Sequence, residues 1–149
     1  MRETTYGKLK VGNRIDITDP CYDEDVWCRI NNFPIPPGEY ECYTLTADNQ
    51  ETSGWGERIA RIGIRTDEAD YFEDIGIIGV DAGMAGFFIG DNRRFMEEEI
   101  MRHDCDDVFK NEEGFCSSSG YGDGSYTVVM GTKHGKIVEV YIEFIGEDE

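Results

Sequence analysis

The chain has 149 residues, and its 32 acidic side chains against 14 Lys and Arg give a formal net charge of −18. With 39% hydrophobic residues and 18 glycines, this composition excludes a coiled coil, a collagen-like chain and a membrane protein. It predicts one globular domain over residues 1–149.

Alternating or glycine-flanked apolar residues predict about seven strands. In Arg58–Arg65, for example, Ala60, Ile62 and Ile64 share one face and the arginines the other. The apolar runs Ile75–Val80 and Gly86–Ile89 are typical of buried central strands. The remaining predicted strands are Arg14–Ile17, Tyr40–Leu45, Ser125–Met130 and Val138–Phe144, the last two joined in a hairpin by Gly131–Lys136.

Two short helices are predicted. The first follows Asp19–Tyr22, with Asp23 as its cap, Glu24 and Asp25 in its first turn, and Val26, Trp27 and Ile30 on one face. The second runs from about Arg93 to Met101, with Asp91 as its cap and Met96 and Ile100 facing inward.

The helices do not alternate regularly with the strands, which disfavours parallel β-α-β units. We therefore predict an α+β fold that is mainly antiparallel β. It would be a sandwich or rolled sheet with one or two short helices packed on it. The stretch Ser117–Gly120 is predicted to be a loop.

The negative charge is concentrated late in the chain: residues 1–65 carry −3 and residues 66–149 carry −15. Such acidity disfavours direct nucleic-acid binding, which needs clustered Lys and Arg. It either serves solubility alone or fits a basic partner protein. In the second case the partner-binding acids are Asp67, Glu68, Asp70, Glu73, Asp74, Glu97, Glu98, Glu99, Asp104, Asp106 and Asp107.

The five cysteines are odd in number and form no C-x-x-C pair. No apolar leader follows Met1, and no apolar run is long enough to cross a membrane. These features predict a cytoplasmic protein with free, mostly buried thiols and no membrane contact. The cysteines are Cys21, Cys28, Cys42, Cys105 and Cys116.

No metal or cofactor is predicted. His103–Asp107 mixes soft and hard ligands on adjacent residues, which rarely face one ion. A calcium loop counted from Asp104 would place Phe109 and Phe115 where Gly and Glu are required. This stretch is therefore interpreted as a solvated acidic loop.

Catalytic signatures are weak. Cys21 precedes a predicted helix start, where a thiolate is favoured, but sequence places neither His103 nor His134 beside it. The glycine-rich Gly120–Gly124 is followed by a strand rather than a helix, so a turn at Asp123 is favoured over a phosphate loop.

Four other charged residues lie at strand ends or share one strand face. Asp19 and Asp81 end apolar strands beside Pro or Gly, where an acid organises a loop or forms part of a site. Arg61 and Arg65 flank Gly63 on one strand face. They are expected to pair with neighbouring acids, the alternative being an anion site.

Four short motifs follow one another along the chain: Asp19–Tyr22, Pro36–Tyr40, Gly79–Gly83 and Gly120–Tyr126. Their order resembles a group of small hypothetical proteins of bacteriophages, prophages and bacteria. The resemblance spans about Ile15 to Val138 and carries no catalytic residues over. It implies a phage-type context, in which small acidic proteins often inhibit host defence systems.

Three functional hypotheses follow. The first is a non-enzymatic inhibitor that covers the basic surface of a host protein, such as a nucleic-acid-binding defence nuclease. The second is a protein that sequesters a nucleotide or metal in a pocket near Asp19, Cys21, Asp81 and Asp123. The third is an enzyme that depends on Cys21.

Overall fold

The computed structural model describes residues 1–22, 26–50, 52–101 and 106–145. Within these ranges the chain forms eleven strands and one short helix. The strands are β1 (Arg2–Val11), β2 (Arg14–Thr18), β3 (Ile30–Pro34), β4 (Gly38–Ala47), β5 (Arg58–Arg65), β6 (Tyr71–Val80), β7 (Met84–Phe88), β8 (Val108–Asn111), β9 (Gly114–Ser118), β10 (Gly124–Lys133) and β11 (Lys136–Glu143).

All strand pairs are antiparallel and form two sheets. Sheet A has the order β1-β4-β5-β11-β10-β6, and sheet B has the order β3-β2-β7-β9-β8. Their inner faces share one apolar core, in which Ile62 and Val140 of sheet A join Ile17 and Phe87 of sheet B. The predicted α+β class, mainly antiparallel, is confirmed, with eleven strands in place of seven.

The predicted strand face of β5 is confirmed. Ala60, Ile62 and Ile64 are fully buried, whereas Arg61 and Arg65 lie on the opposite face. The predicted hairpin is also present, but its strands reach Lys133 and Lys136. The two residues between them, His134 and Gly135, both have positive φ, as a type I′ turn requires.

The second predicted helix is confirmed. The Asp91 side chain accepts hydrogen bonds from the backbone N–H of Arg93 and Arg94, and α1 (Asn92–Phe95) continues as a π-helical turn over Met96–Ile100. Phe95 and Ile100 pack against Phe88 and Phe109 on the outer face of sheet B, with Met96 beside them. The helix therefore adds a third layer on that side.

The first predicted helix is wrong in its described part. Ile30 begins β3, and Trp27 is 94% exposed, so these residues share no buried helical face. Ile30 instead packs near Gly76 of β6, and this contact, rather than a helical face, buries part of its side chain. The proposed cap Asp23, with Glu24 and Asp25, lies outside the described residues.

Two strand assignments also need correction. Ser117 and Ser118 belong to β9 rather than to a loop, because small side chains fit the close approach of β9 to β7. At Gly86 of β7 an added Cβ would lie 2.1 Å from the Phe115 carbonyl oxygen. β6 is an edge strand rather than a central one, and Ile77 is 64% exposed.

Among the described residues, no helix is long and apolar enough to cross a membrane.

Candidate functional site

Three of the sequence motifs meet around the buried carboxylate of Asp19. Its Oδ1 accepts a hydrogen bond from the N–H of Cys21 at 2.8 Å. Its Oδ2 accepts from the N–H groups of Asp81 and Ala82, each at 2.7 Å. Asp19 is 0% exposed and thereby joins the end of β2 to the end of β6.

The third motif joins through the backbone. Ser119 N donates to Gly83 O at 3.0 Å, Gly124 pairs with Val80, and Asp123 lies beside Gly83. A turn is present, but it lies just before Asp123, where Gly122 N donates to Ser119 O, and Gly124 already begins β10. At this junction the Asp19 carboxylate accepts hydrogen bonds from backbone N–H groups, so Asp19 organises the loops, the first of the two roles considered for it.

The environment of Cys21 disfavours a thiolate. Burial raises the pKa of the Cys21 thiol, and the negative charge of Asp19 raises it further. The sulfur lies 3.1 Å from the Met96 sulfur, and His134 lies in the distant β10–β11 turn. His103 lies outside the described residues. As far as the described residues extend, this arrangement does not favour the Cys21 enzyme hypothesis.

The predicted partner-binding acids fall into separate groups. Asp67, Glu68 and Asp70 lie in the β5–β6 connection, and Glu73 and Asp74 follow on β6 at the edge of sheet A. Glu97, Glu98 and Glu99 lie on the helical segment that covers the outer face of sheet B, on the other side of the sandwich.

The third group precedes β8. Asp106 and Asp107 lie there, and Asp107 lines a cavity of about 280 Å³ between β1, β5 and β8. Asp104 lies outside the described residues. In the described part of the chain, no group of three or more His, Cys, Asp or Glu side chains has an arrangement that could hold a metal ion.

Arg61 and Arg65 pair with acids, as expected. Arg61 Nη2 lies 2.9 Å from a carboxylate oxygen of Glu143, and Arg65 contacts Glu3 at 2.7 Å and Glu41 at 2.8 Å. Each guanidinium also stacks on a tyrosine of the outer face of sheet A. Arg61 Cζ lies 3.9 Å from the centroid of the Tyr141 ring, and Arg65 Cζ lies 4.2 Å from the centroid of the Tyr43 ring.

These stacked side chains bury a carboxylate between them. Glu139 of β11 is 8% exposed, and the Tyr43 hydroxyl donates a hydrogen bond to its Oε2. Burial raises the pKa of Glu139, and the hydrogen bond from Tyr43 together with the charges of Arg65 and Arg61 opposes that shift only in part. Tyr43 reaches this position because Gly63 has no side chain, since a Cβ there would lie 2.5 Å from the tyrosine ring.

A groove of about 740 Å³ opens above this row. The β5–β6 connection and Phe72 form one wall, the β1–β4 edge forms the other, and Arg65 and Glu139 lie between them. Six carboxylates line it against two cations, Lys8 and Arg65. The acids are Glu3, Glu39, Glu41, Asp67, Glu68 and Glu139.

Of the residues that line this groove, the sequence had singled out Arg65, Asp67 and Glu68. The alternation in β11 placed Glu139 on the polar face but gave no sign that it is buried. Phe72 was missed because its place beside Gly131 depends on the register of β6 with β10.

Comparison with protein-family models, curated proteins and solved structures finds no match for this chain. The function is therefore inferred from the geometry of the junction and the groove.

Replacement of Asp19 by Ala is expected to lower the free energy of unfolding by more than about 3 kcal/mol, because three N–H groups lose their acceptor in a buried place. Urea denaturation measures the change. The matched control, Asp91→Ala, removes an exposed helix cap and is expected to cost about 1 kcal/mol. Equal losses in the two variants would contradict the role assigned to Asp19.

Replacement of Glu139 by Gln is expected to change how stability depends on pH. The folded-state pKa of Glu139 is raised, so the protonated form favours folding and that contribution is lost as pH rises through the raised value. Gln stays neutral and keeps an acceptor for Tyr43. The stability of the Gln variant relative to wild type should therefore improve as pH rises from the acid range toward neutral.

Urea denaturation across this range tests the prediction, with the exposed helix variant Glu98→Gln as control. Parallel pH profiles for wild type and Glu139→Gln would show that Glu139 titrates as an ordinary glutamate.

Proposed function

We propose that the protein acts without catalysis, by binding a basic partner protein in the acidic groove on the outer face of sheet A. The observation that carries the proposal is the convergence of six carboxylates on one groove that has only two cations in its lining.

The two cations do little to offset this charge. The Arg65 guanidinium is held by Glu3 and Glu41, so its charge is matched within the fold. Asp67 is paired with Lys133 at 3.1 Å, whereas Glu39 and Glu68 keep the groove negative. A concave surface of one charge sign attracts a partner of the opposite sign and speeds their encounter.

The groove also offers an apolar contact. Phe72 is 48% exposed and lines it, and Tyr71 is exposed next to it at the start of β6. Binding surfaces between proteins concentrate their energy in a few aromatic and arginine contacts, surrounded by polar groups. An aromatic ring among carboxylates suits a partner surface rich in arginine and lysine.

The motif resemblance to phage-type proteins supports a more specific role as an inhibitor of a host defence protein. A nuclease that holds DNA or RNA presents Lys and Arg in a groove of its own. Carboxylates at suitable spacing would take the place of the phosphates. Such binding weakens with salt because the interaction is electrostatic.

A fluorescent peptide of mixed Lys, Arg and Gly tests the groove by polarisation at low and high salt. The triple variant Glu39→Gln, Asp67→Asn, Glu68→Gln is expected to weaken binding by about tenfold at low salt, since each exposed charge pair contributes about 0.5 kcal/mol. Raising the salt should weaken the wild-type interaction.

The matched control carries the same change of charge on the other side of the sandwich: Glu97→Gln, Glu98→Gln, Glu99→Gln. It should bind nearly as well as wild type. Absence of binding at low salt, or an equal loss in the two triple variants, would refute the assignment of the groove.

A further inference from the structure

The outer face of sheet A repeats one arrangement of three groups: a guanidinium lies on an aromatic ring and pairs with a carboxylate. In the first unit Arg61 lies on Tyr141 and pairs with Glu143. In the second, Arg65 lies on Tyr43 and pairs with Glu3 and Glu41.

A third ring and a third carboxylate lie beside these units. The register of the sheet aligns Arg65, Glu139, Gly131 and Phe72 in one row across β5, β11, β10 and β6. An added Cβ at Gly131 would lie 3.0 Å from the Phe72 ring and 3.3 Å from the Glu139 Cβ, so these two side chains are neighbours. Among the described residues, no arginine stacks on Phe72.

Glu139 also has an oxygen without a partner. Tyr43 donates to Oε2, and no described residue donates a hydrogen bond to Oε1. Glu139 lines the groove although it is only 8% exposed. An arginine that enters the groove can therefore pair with this carboxylate, which is largely withdrawn from water.

We propose that the groove contains a subsite for one arginine side chain of the partner, whose guanidinium lies on Phe72 and pairs with Glu139. This inference rests on the proposed function and names the side chain that the groove selects. Bound in this way, the partner's arginine completes a third unit of the kind that Arg61 and Arg65 already form.

The chemistry of the subsite favours guanidinium over ammonium. A guanidinium is planar, so it can stack on Phe72 while its edge donates hydrogen bonds to the carboxylate. It is also less strongly hydrated than an ammonium, which lowers the cost of placing it in a partly buried site. The exposed Asp67 and Glu68 lie at the same groove wall and attract the cation before it enters.

The test uses isotope-labelled protein and three small probes in an NMR titration: the methyl esters of N-acetyl-arginine, N-acetyl-lysine and N-acetyl-citrulline. The arginine ester is expected to shift the backbone amide signals of Phe72, Gly131 and Glu139. It should bind about fivefold more tightly than the lysine ester. Citrulline has the same shape but no charge, and it should cause no saturable shift.

Two variants test the two side chains that form the subsite, Glu139 and Phe72. Glu139→Gln should weaken arginine binding by about tenfold, and Phe72→Leu by about threefold. Both should leave the remaining spectrum in place, because Gln has the size of Glu and Phe72 is half-exposed. Glu97→Gln on the helix is the matched charge control and should bind as wild type does.

The inference is overturned if lysine and arginine esters bind equally, if the shifts spread over the helix acids, or if Glu139→Gln binds as well as wild type. These outcomes are separable from failure of the proposed function. If the basic peptide binds through the groove but arginine is not preferred, only the subsite fails. If no basic peptide binds, both fail.

Discussion

Two tyrosines and a glutamate are buried on the outer face of sheet A, although no sheet or helix of the described residues covers that face. Arginine side chains do this instead: Arg61 and Arg65 lie flat on Tyr141 and Tyr43, and their charges are matched by neighbouring carboxylates. This arrangement of arginines on tyrosines requires β4 and β5 to be neighbours, because the Tyr43 ring occupies the space that a side chain at Gly63 would fill. The groove and its buried carboxylate are consequences of this cover.

Much of the fold follows from local sequence. The alternation in Arg58–Arg65 predicts both the core face and the acid partners of the arginines, and Asp91 marks the start of the helix. β1 and β3 were missed because they are mostly polar, and β8 and β9 because they have only 4 and 5 residues, so pairing with neighbours rather than a hydrophobic period decides their structure. β6 has a strongly apolar sequence yet lies at an edge, since strand order depends on contacts far apart in the chain.

The candidate site was predictable only in part. The sequence indicated that Asp19 organises a loop and that Arg61 and Arg65 pair with acids, and the structure has both features. It gave no sign of Glu139 or Phe72 as groove residues, because their proximity depends on the register of three strands and on the unpaired Ile75 within β6. The acids from Asp67 to Glu113 are close in sequence, but the fold distributes the described ones over separate faces, so charge alone does not define a single binding surface.

The proposed subsite depends most on Glu139, a largely buried carboxylate that forms no ion pair with a described residue. Carbon-detected NMR titration of its side-chain carboxyl, with and without the methyl ester of N-acetyl-arginine, measures this directly. We expect the free protein to show a pKa above that of an ordinary glutamate, and the arginine ester to lower it. An ordinary pKa that the ester does not change would contradict the account.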